Sequence, residues 1–177
     1  MNEKEPSKNK KINIITRHME IDDLAKVFHL GEKLFTAEKV PTLYRTWDEY
    51  EVLTLYQGDS EFCLVAEEEE KEEIVGFTLG TTISKSHSAW KYGHLVWLGI
   101  DPDWQGQGIA KKLFDHFLDL MIEDGVRILL VDTESDNKKA INFFYKMGFK
   151  NPQDHVYLTL NLDNQRRQYR EKEIYDH

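Results

Sequence analysis

One stretch of this chain limits its possible folds more than any other. Residues 93–100 form an apolar run of strand length, and Pro102 stops it because proline cannot continue a β-ladder. Soon after, residues 108–124 carry a helical pattern. Ile109, Ala110, Leu113, Phe114, Phe117, Leu118, Leu120 and Met121 fall on one wide apolar stripe. Gly106 and Gly108 occupy the turn between them, where glycine lets the backbone bend closely and expose its amides. The first amides of a helix have no intrahelical partner. With the helix dipole they make an anion site fit for a pyrophosphate. Two glycines before a helix also serve a plain tight turn, so on these residues alone both readings stand. The GxxxxGK[ST] and GxGxxG phosphate loops are absent.

The rest of the chain builds a frame around this turn. Residues 12–15 read as a first strand. Leu24, Val27, Phe28, Leu30 and Leu34 have helical spacing within 21–34. Thr46-Trp47-Asp48-Glu49 has the form of a capping box and predicts a second helix to about Tyr56. Residues 62–66 and 74–83 read as strands, with the acidic run 67–73 as a solvated turn between them. Residues 128–131 read as a short buried strand. Residues 137–147 read as a helix, with Gly125 and Gly148 as left-handed caps of the two late helices. Residues 156–162 read as a final strand. The order strand, two helices, three strands, helix, strand, helix, strand predicts an α/β (α+β) mixed sheet with helices on its faces. Residues 1–11 are expected as a flexible tail, 12–162 as one domain, and 163–177 as a charged tail or helix.

Composition narrows the function classes. A chain of 177 residues suits one domain. A net charge of −9 argues against nucleic acid as a main partner. It suits a cationic partner, or serves solubility alone. No apolar run approaches the ~20 residues that cross a bilayer, and residues 1–11 are lysine-rich without an apolar core, so neither a membrane span nor a secretory signal is expected. Cys63 is the single cysteine, too few for a disulfide framework or a Cys-based zinc site. It is read as a small buried hydrophobe, and a cytoplasmic setting is expected. His18, His29, His87, His116 and His155 lack metal-ligand spacing, and no metal is expected.

Two motifs then point to a family. Gln105-x-x-Gly108-x-Ala110, preceded by Ile100-Asp101-Pro102, resembles the Q/R-x-x-G-x-G/A motif of the GCN5-related N-acetyltransferases (GNAT). Asn137-x-x-Ala140-Ile141, Phe143 and Lys146-x-Gly148-Phe149 resemble that family's second signature, in the expected order and spacing. The resemblance spans residues 12–162. It implies a central, mostly antiparallel, splayed sheet with helices on both faces, and acetyl-CoA as co-substrate. It implies that the backbone of Leu98, Gly99 and Ile100 meets the pantetheine arm. Gln105, Gly106, Gln107, Gly108, Ile109, Ala110 and Lys111 would hold the pyrophosphate, and Asn137 would contact the coenzyme arm. Asn137 also suits a helix N-cap.

The reaction implied is direct attack by an amine on the thioester, on a protein N-terminus, a lysine or a small-molecule amine. The alternative is a non-catalytic acyl-CoA-binding regulatory module. For the base, Asp132 stands five residues before Asn137, with Glu134 second. Relatives place a thiolate-protonating tyrosine where this chain has Phe144; Tyr145 follows it, about 100° further round a helix. Tyr145 is therefore the candidate acid, displaced from the usual place. His94 and Trp97 lie on the strand that faces the cleft or its back. Tyr44, Trp47 and Tyr50 fall where the family shapes its acceptor site; they are read first as core, and otherwise as cation–π partners of an amine. The final strand is a candidate exposed edge, which leaves a homodimer open.

Overall fold

The computed structural model describes residues 13–36, 47–84 and 90–154, together with residues 156, 158 and 162. The expected tails, Tyr44, Thr46, His87, His155 and most of the expected last strand lie outside these residues. The elements run β1 (Ile14–His18), α1 (Leu24–Leu34), α2 (Glu49–Asp59), β2 (Cys63–Glu68), β3 (Glu73–Ser84), β4 (Lys91–Ile100), α3 (Ile109–Glu123), β5 (Val126–Val131) and α4 (Lys138–Lys146). The strands form one sheet in the order β1-β2-β3-β4-β5. The first four pair antiparallel; the short turn 69–72 joins β2 to β3, whereas α1 and α2 lie between β1 and β2. β5 lies parallel to β4, and that pairing requires the crossover that α3 supplies. The mixed α/β sheet expected from the sequence is the one observed.

Each sheet face has its own core. On one, the α3 stripe residues Leu113, Phe114 and Phe117 pack with Leu64 and Leu95 of the sheet and with Phe144 of α4. On the other, Val27 and Leu30 of α1 and Val52 of α2 cover Val65, Phe77 and Trp97. Trp47 belongs to this second core. It packs 5.1 Å from the Trp97 ring, edge to face, and its indole Nε1 donates to the Phe28 carbonyl at 2.9 Å. Gly31 makes the room, since a Cβ there would fall 2.0 Å from the Trp47 ring. Trp47 is thus core, whereas Tyr50 is 72% exposed.

Three local expectations change. Asp48, not Thr46, caps α2: it is extended, and its carboxylate accepts from the Glu51 amide at 2.8 Å. Glu67 and Glu68 belong to β2 and are buried, so the solvated turn is only 69–72. Arg17 explains Glu67: from β1 its Nε donates to the Glu67 carboxylate at 2.6 Å. Glu68 accepts from the Lys71 amide at 2.8 Å and closes the turn. Finally, β5 is not fully buried; Arg127 and Leu130 are exposed.

Thr78, in the middle of β3, is fully buried, and its hydroxyl has no hydrogen-bond partner among the described residues. A buried hydroxyl left unsatisfied costs roughly 1–3 kcal/mol. Thr78→Val is therefore expected to stabilise the fold by about 1 kcal/mol. Urea unfolding of the two proteins checks this; a loss of stability would show that the hydroxyl is paired in solution.

Candidate active site

The turn between β4 and α3 is built by local contacts. Asp101 accepts from the Asp103 amide at 3.0 Å and starts the 3-10 turn Pro102–Trp104. Lys33 of α1 holds the same carboxylate at 3.1 Å. Gly106 and Gly108 have φ of 80° and 81°, a region that L side chains rarely adopt. Gly108 is the N-cap of α3, and no side chain caps that helix. Its first turn carries no acidic residue. Among the described residues, no N-cap side chain takes up its first amides, an arrangement that suits an anion.

Gln105 ties this turn to its surroundings. Its Nε2 donates to the Ile100 carbonyl at 3.1 Å, and its Oε1 accepts from Lys139 of α4 at 2.5 Å. The two sequence motifs thus touch each other. Lys111, Lys112, Lys138 and Lys139 all stand at the starts of α3 and α4, so positive charge collects here on a chain of net charge −9. Lys111 is paired with Asp115 at 2.5 Å. Asn137 caps α4, accepting from the Ala140 amide at 3.1 Å, and it donates to Thr133 Oγ1 at 3.1 Å.

The gap beside this turn comes from strand register. β5 pairs with β4 only as far as Leu95↔Val131. At that level β4 changes register against β3, with Gly80↔Leu95 followed by Leu79↔Trp97, so Val96 forms a bulge. A bulge bends its strand and increases the local twist. Beyond it, Leu98–Ile100 stay beside β3 but no longer have β5 alongside among the described residues. This is the splay expected from the family resemblance, and it lies next to the α3 turn.

At the point where the strands part, two side chains meet. His94 of β4 and Asp132, just past β5, are joined by a 2.8 Å contact between Nε2 and Oδ1. His94 is 21% exposed and Asp132 50%. A Cβ on Gly93 would meet Met121 of α3, so His94, next along the strand, points to the opposite sheet face. His94 was singled out by its strand but given no role. What sequence reasoning missed was its partner, because the register of β4 against β5 has no local signal.

The remaining candidates are placed as follows. Phe144 is 8% exposed and packs against Phe143 and Phe149, with ring centroids 5.3 and 5.4 Å away. The family's tyrosine position is therefore part of the core in this chain. Tyr145 is 49% exposed on α4. Cys63 is fully buried, and burial pushes its thiol up to about 12, while a backbone contact from Gly80 acts weakly against that. It is a poor nucleophile, as a buried hydrophobe should be. Among the described residues, no helix is long and apolar enough to cross a membrane, and no three His, Cys, Asp or Glu stand where they could hold a metal.

Comparison with known proteins agrees with this geometry. A sequence profile described as the acetyltransferase (GNAT) family matches residues 28–149. The chain belongs to that family. N-alpha-acetyltransferase 30 of Schizosaccharomyces pombe is 39% identical over 57 residues, which is 32% of this chain and 38% of that protein. The peptidyl-lysine N-acetyltransferase YjaB of Salmonella typhimurium is 37% identical over 81 residues, 46% of each chain. This chain therefore spans less than half the length of these relatives. Among solved structures, the NatC complex bound to Gag peptide and CoA superposes with a TM-score of 0.68 at 21% identity, covering 80% of this chain and 87% of that one. An aminoglycoside acetyltransferase from a soil metagenome, in complex with sisomicin, gives 0.65 at 20% identity, covering 84% and 97%. These likenesses show the shared fold.

Proposed function

We propose that this chain is an N-acetyltransferase that moves the acetyl group of acetyl-CoA to a primary amine by direct attack. One observation carries the reading: the uncapped start of α3, with Gly106 and Gly108 in left-handed conformation, opens beside the gap between β4 and β5. The amides of 106–111 and the Gln105 region would hold the pyrophosphate. The backbone of Leu98, Gly99 and Ile100 would meet the pantetheine arm, and Asn137 would contact it while capping α4. The thioester is already activated, so the protein has to orient the amine, remove its proton and accommodate the leaving thiolate. Asp132 is the carboxylate at the parting of the strands, and Tyr145 is the phenol on offer to the thiolate.

The acceptor is a protein N-terminus, a lysine or a small amine. The relatives include acetyltransferases named for N-terminal and for lysine acceptors. The test is release of CoA from acetyl-CoA with three amine classes: peptides with a free N-terminus, lysine peptides with a blocked N-terminus, and polyamines. At least one class should give turnover well above the hydrolysis background. The second reading is a non-catalytic acyl-CoA-binding module, and the buried Phe144 at the family's tyrosine position favours it. Tight binding of acetyl-CoA with no turnover of any amine would select that second reading.

A further inference from the structure

Asp132 need not act on the substrate directly, because it touches a better base. Its Oδ1 lies 2.8 Å from His94 Nε2, across 38 residues of chain. With Asp132 ionised and His94 neutral, the carboxylate only accepts, so Nε2 carries the proton and Nδ1 keeps its lone pair. Imidazole is better matched than a carboxylate to removing a proton from an ammonium group near neutral pH. A carboxylate that orients the ring and supports its charged form is the second half of the same arrangement.

The pair also lacks a folding rationale. Its members are 21% and 50% exposed, and partly exposed ion pairs contribute little to stability. Among the described residues, its neighbours along the strands are these. On β4, Tyr92 lies two residues before His94. From β3, Thr81 is opposite His94 in register, and its hydroxyl donates to Asp59 at the end of α2. Beside it on β5, Leu130 is in register and 44% exposed. Beyond β5, Glu134 follows Asp132 by two residues.

We infer that His94 is the catalytic base of acetyl transfer and that Asp132 is its positioning residue. The inference rests on the acetyltransferase reading above. The ammonium form of the acceptor gives one proton to His94 Nδ1. The freed lone pair forms the C–N bond to the acetyl carbon as the C–S bond breaks. A second proton leaves the nitrogen and reaches the thiolate by way of the Tyr145 hydroxyl, and His94 returns the first to solvent. The products are the amide, CoA as the thiol, and one proton. Leu130, an apolar side chain beside this pair, would face the part of the acceptor next to its amine.

The test uses the full chain, acetyl-CoA and whichever amine the parent acetylates best. His94→Gln, His94→Ala, Asp132→Asn and Asp132→Ala are compared by calorimetric acetyl-CoA binding and by kcat/KM across pH. His94→Gln should bind acetyl-CoA within twofold of the parent, lose about 100-fold in kcat, and lose the acid limb of the profile. Added imidazole should restore part of the His94→Ala rate. Asp132→Asn should lower kcat about tenfold or more while KM and acetyl-CoA binding stay unchanged, because the ring loses its orientation. A purely structural role for Asp132 would instead lower acetyl-CoA binding and folding stability together and leave the kcat of the folded protein unchanged. If His94→Gln keeps both the rate and the acid limb while Asp132→Ala abolishes them, Asp132 is the base and this assignment is wrong. If the parent itself binds acetyl-CoA and acetylates no amine, the failure belongs to the acetyltransferase reading and overturns both.

Discussion

Gly108→Trp is expected to weaken acetyl-CoA binding by about 100-fold or more while leaving the fold intact. Hydrogen bonds to a charged group are each worth roughly 1.5–3 kcal/mol, so losing two of them approaches or exceeds that factor. A Cβ at Gly108 would meet nothing within 4 Å, so an indole has open space at the start of α3. That is the space a phosphate would occupy. The cost to the fold is local: a non-glycine residue at φ of 81° loses about 1–2 kcal/mol. Gly108→Ala carries the same backbone strain without the bulk. It should bind acetyl-CoA far better than the tryptophan variant. Calorimetric titration of the three proteins, with circular dichroism as the folding check, decides the matter. Equal binding by parent and Gly108→Trp would remove the pyrophosphate from this turn.

Arg17→Ala is expected to cost about 3 kcal/mol of stability near neutral pH, because it strands buried acids. Arg17 donates to both Asp23 carboxylate oxygens, at 2.5 and 3.0 Å, and to Glu67. Asp23 is 3% exposed. Burial by itself raises the Asp23 carboxyl. The Arg17 hydrogen bonds, the Glu20 amide and the Arg17 charge outweigh burial and hold the group below its usual value. A carboxyl depressed in the folded state contributes stability above its unfolded pKa of about 4, and that stability is lost as pH falls below it. In the variant, burial is no longer offset by Arg17. Protonation of Asp23 then relieves the folded state, and the variant gains stability relative to the parent as pH falls. The gap between the two proteins should therefore be widest near pH 7 and narrow toward pH 4. Denaturant unfolding at both pH values checks the size and the sign. A gap that stays constant with pH would mean that Asp23 is not held in the way described.

Much of the site is legible along the chain because its parts are local. Gly106 and Gly108 belong to one turn, and the α3 stripe repeats within one helix. Asn137 caps the helix that it begins. These features depend on residues a few positions apart, which sequence spacing reports directly. The same holds for Phe144 and Tyr145: one helical step separates them, so one enters the core and the other does not.

Other features required the assembled sheet. Glu67 and Glu68 look like solvated charge within an acidic run, yet β1 brings Arg17 to Glu67, and the turn uses Glu68 to cap itself. The cap of α2 is Asp48, two residues after the Thr46 that the motif suggests. By itself, the sequence determined the family, the order of elements from β1 to α4, the glycine turn before α3 and the cap at Asn137, since each is encoded within a few residues of contiguous chain. Only the tertiary structure decided where β5 leaves β4, that the Val96 bulge marks that level, and that His94 meets Asp132 there. Strand register is set by crossover length and by packing on both sheet faces, and no single segment carries that information.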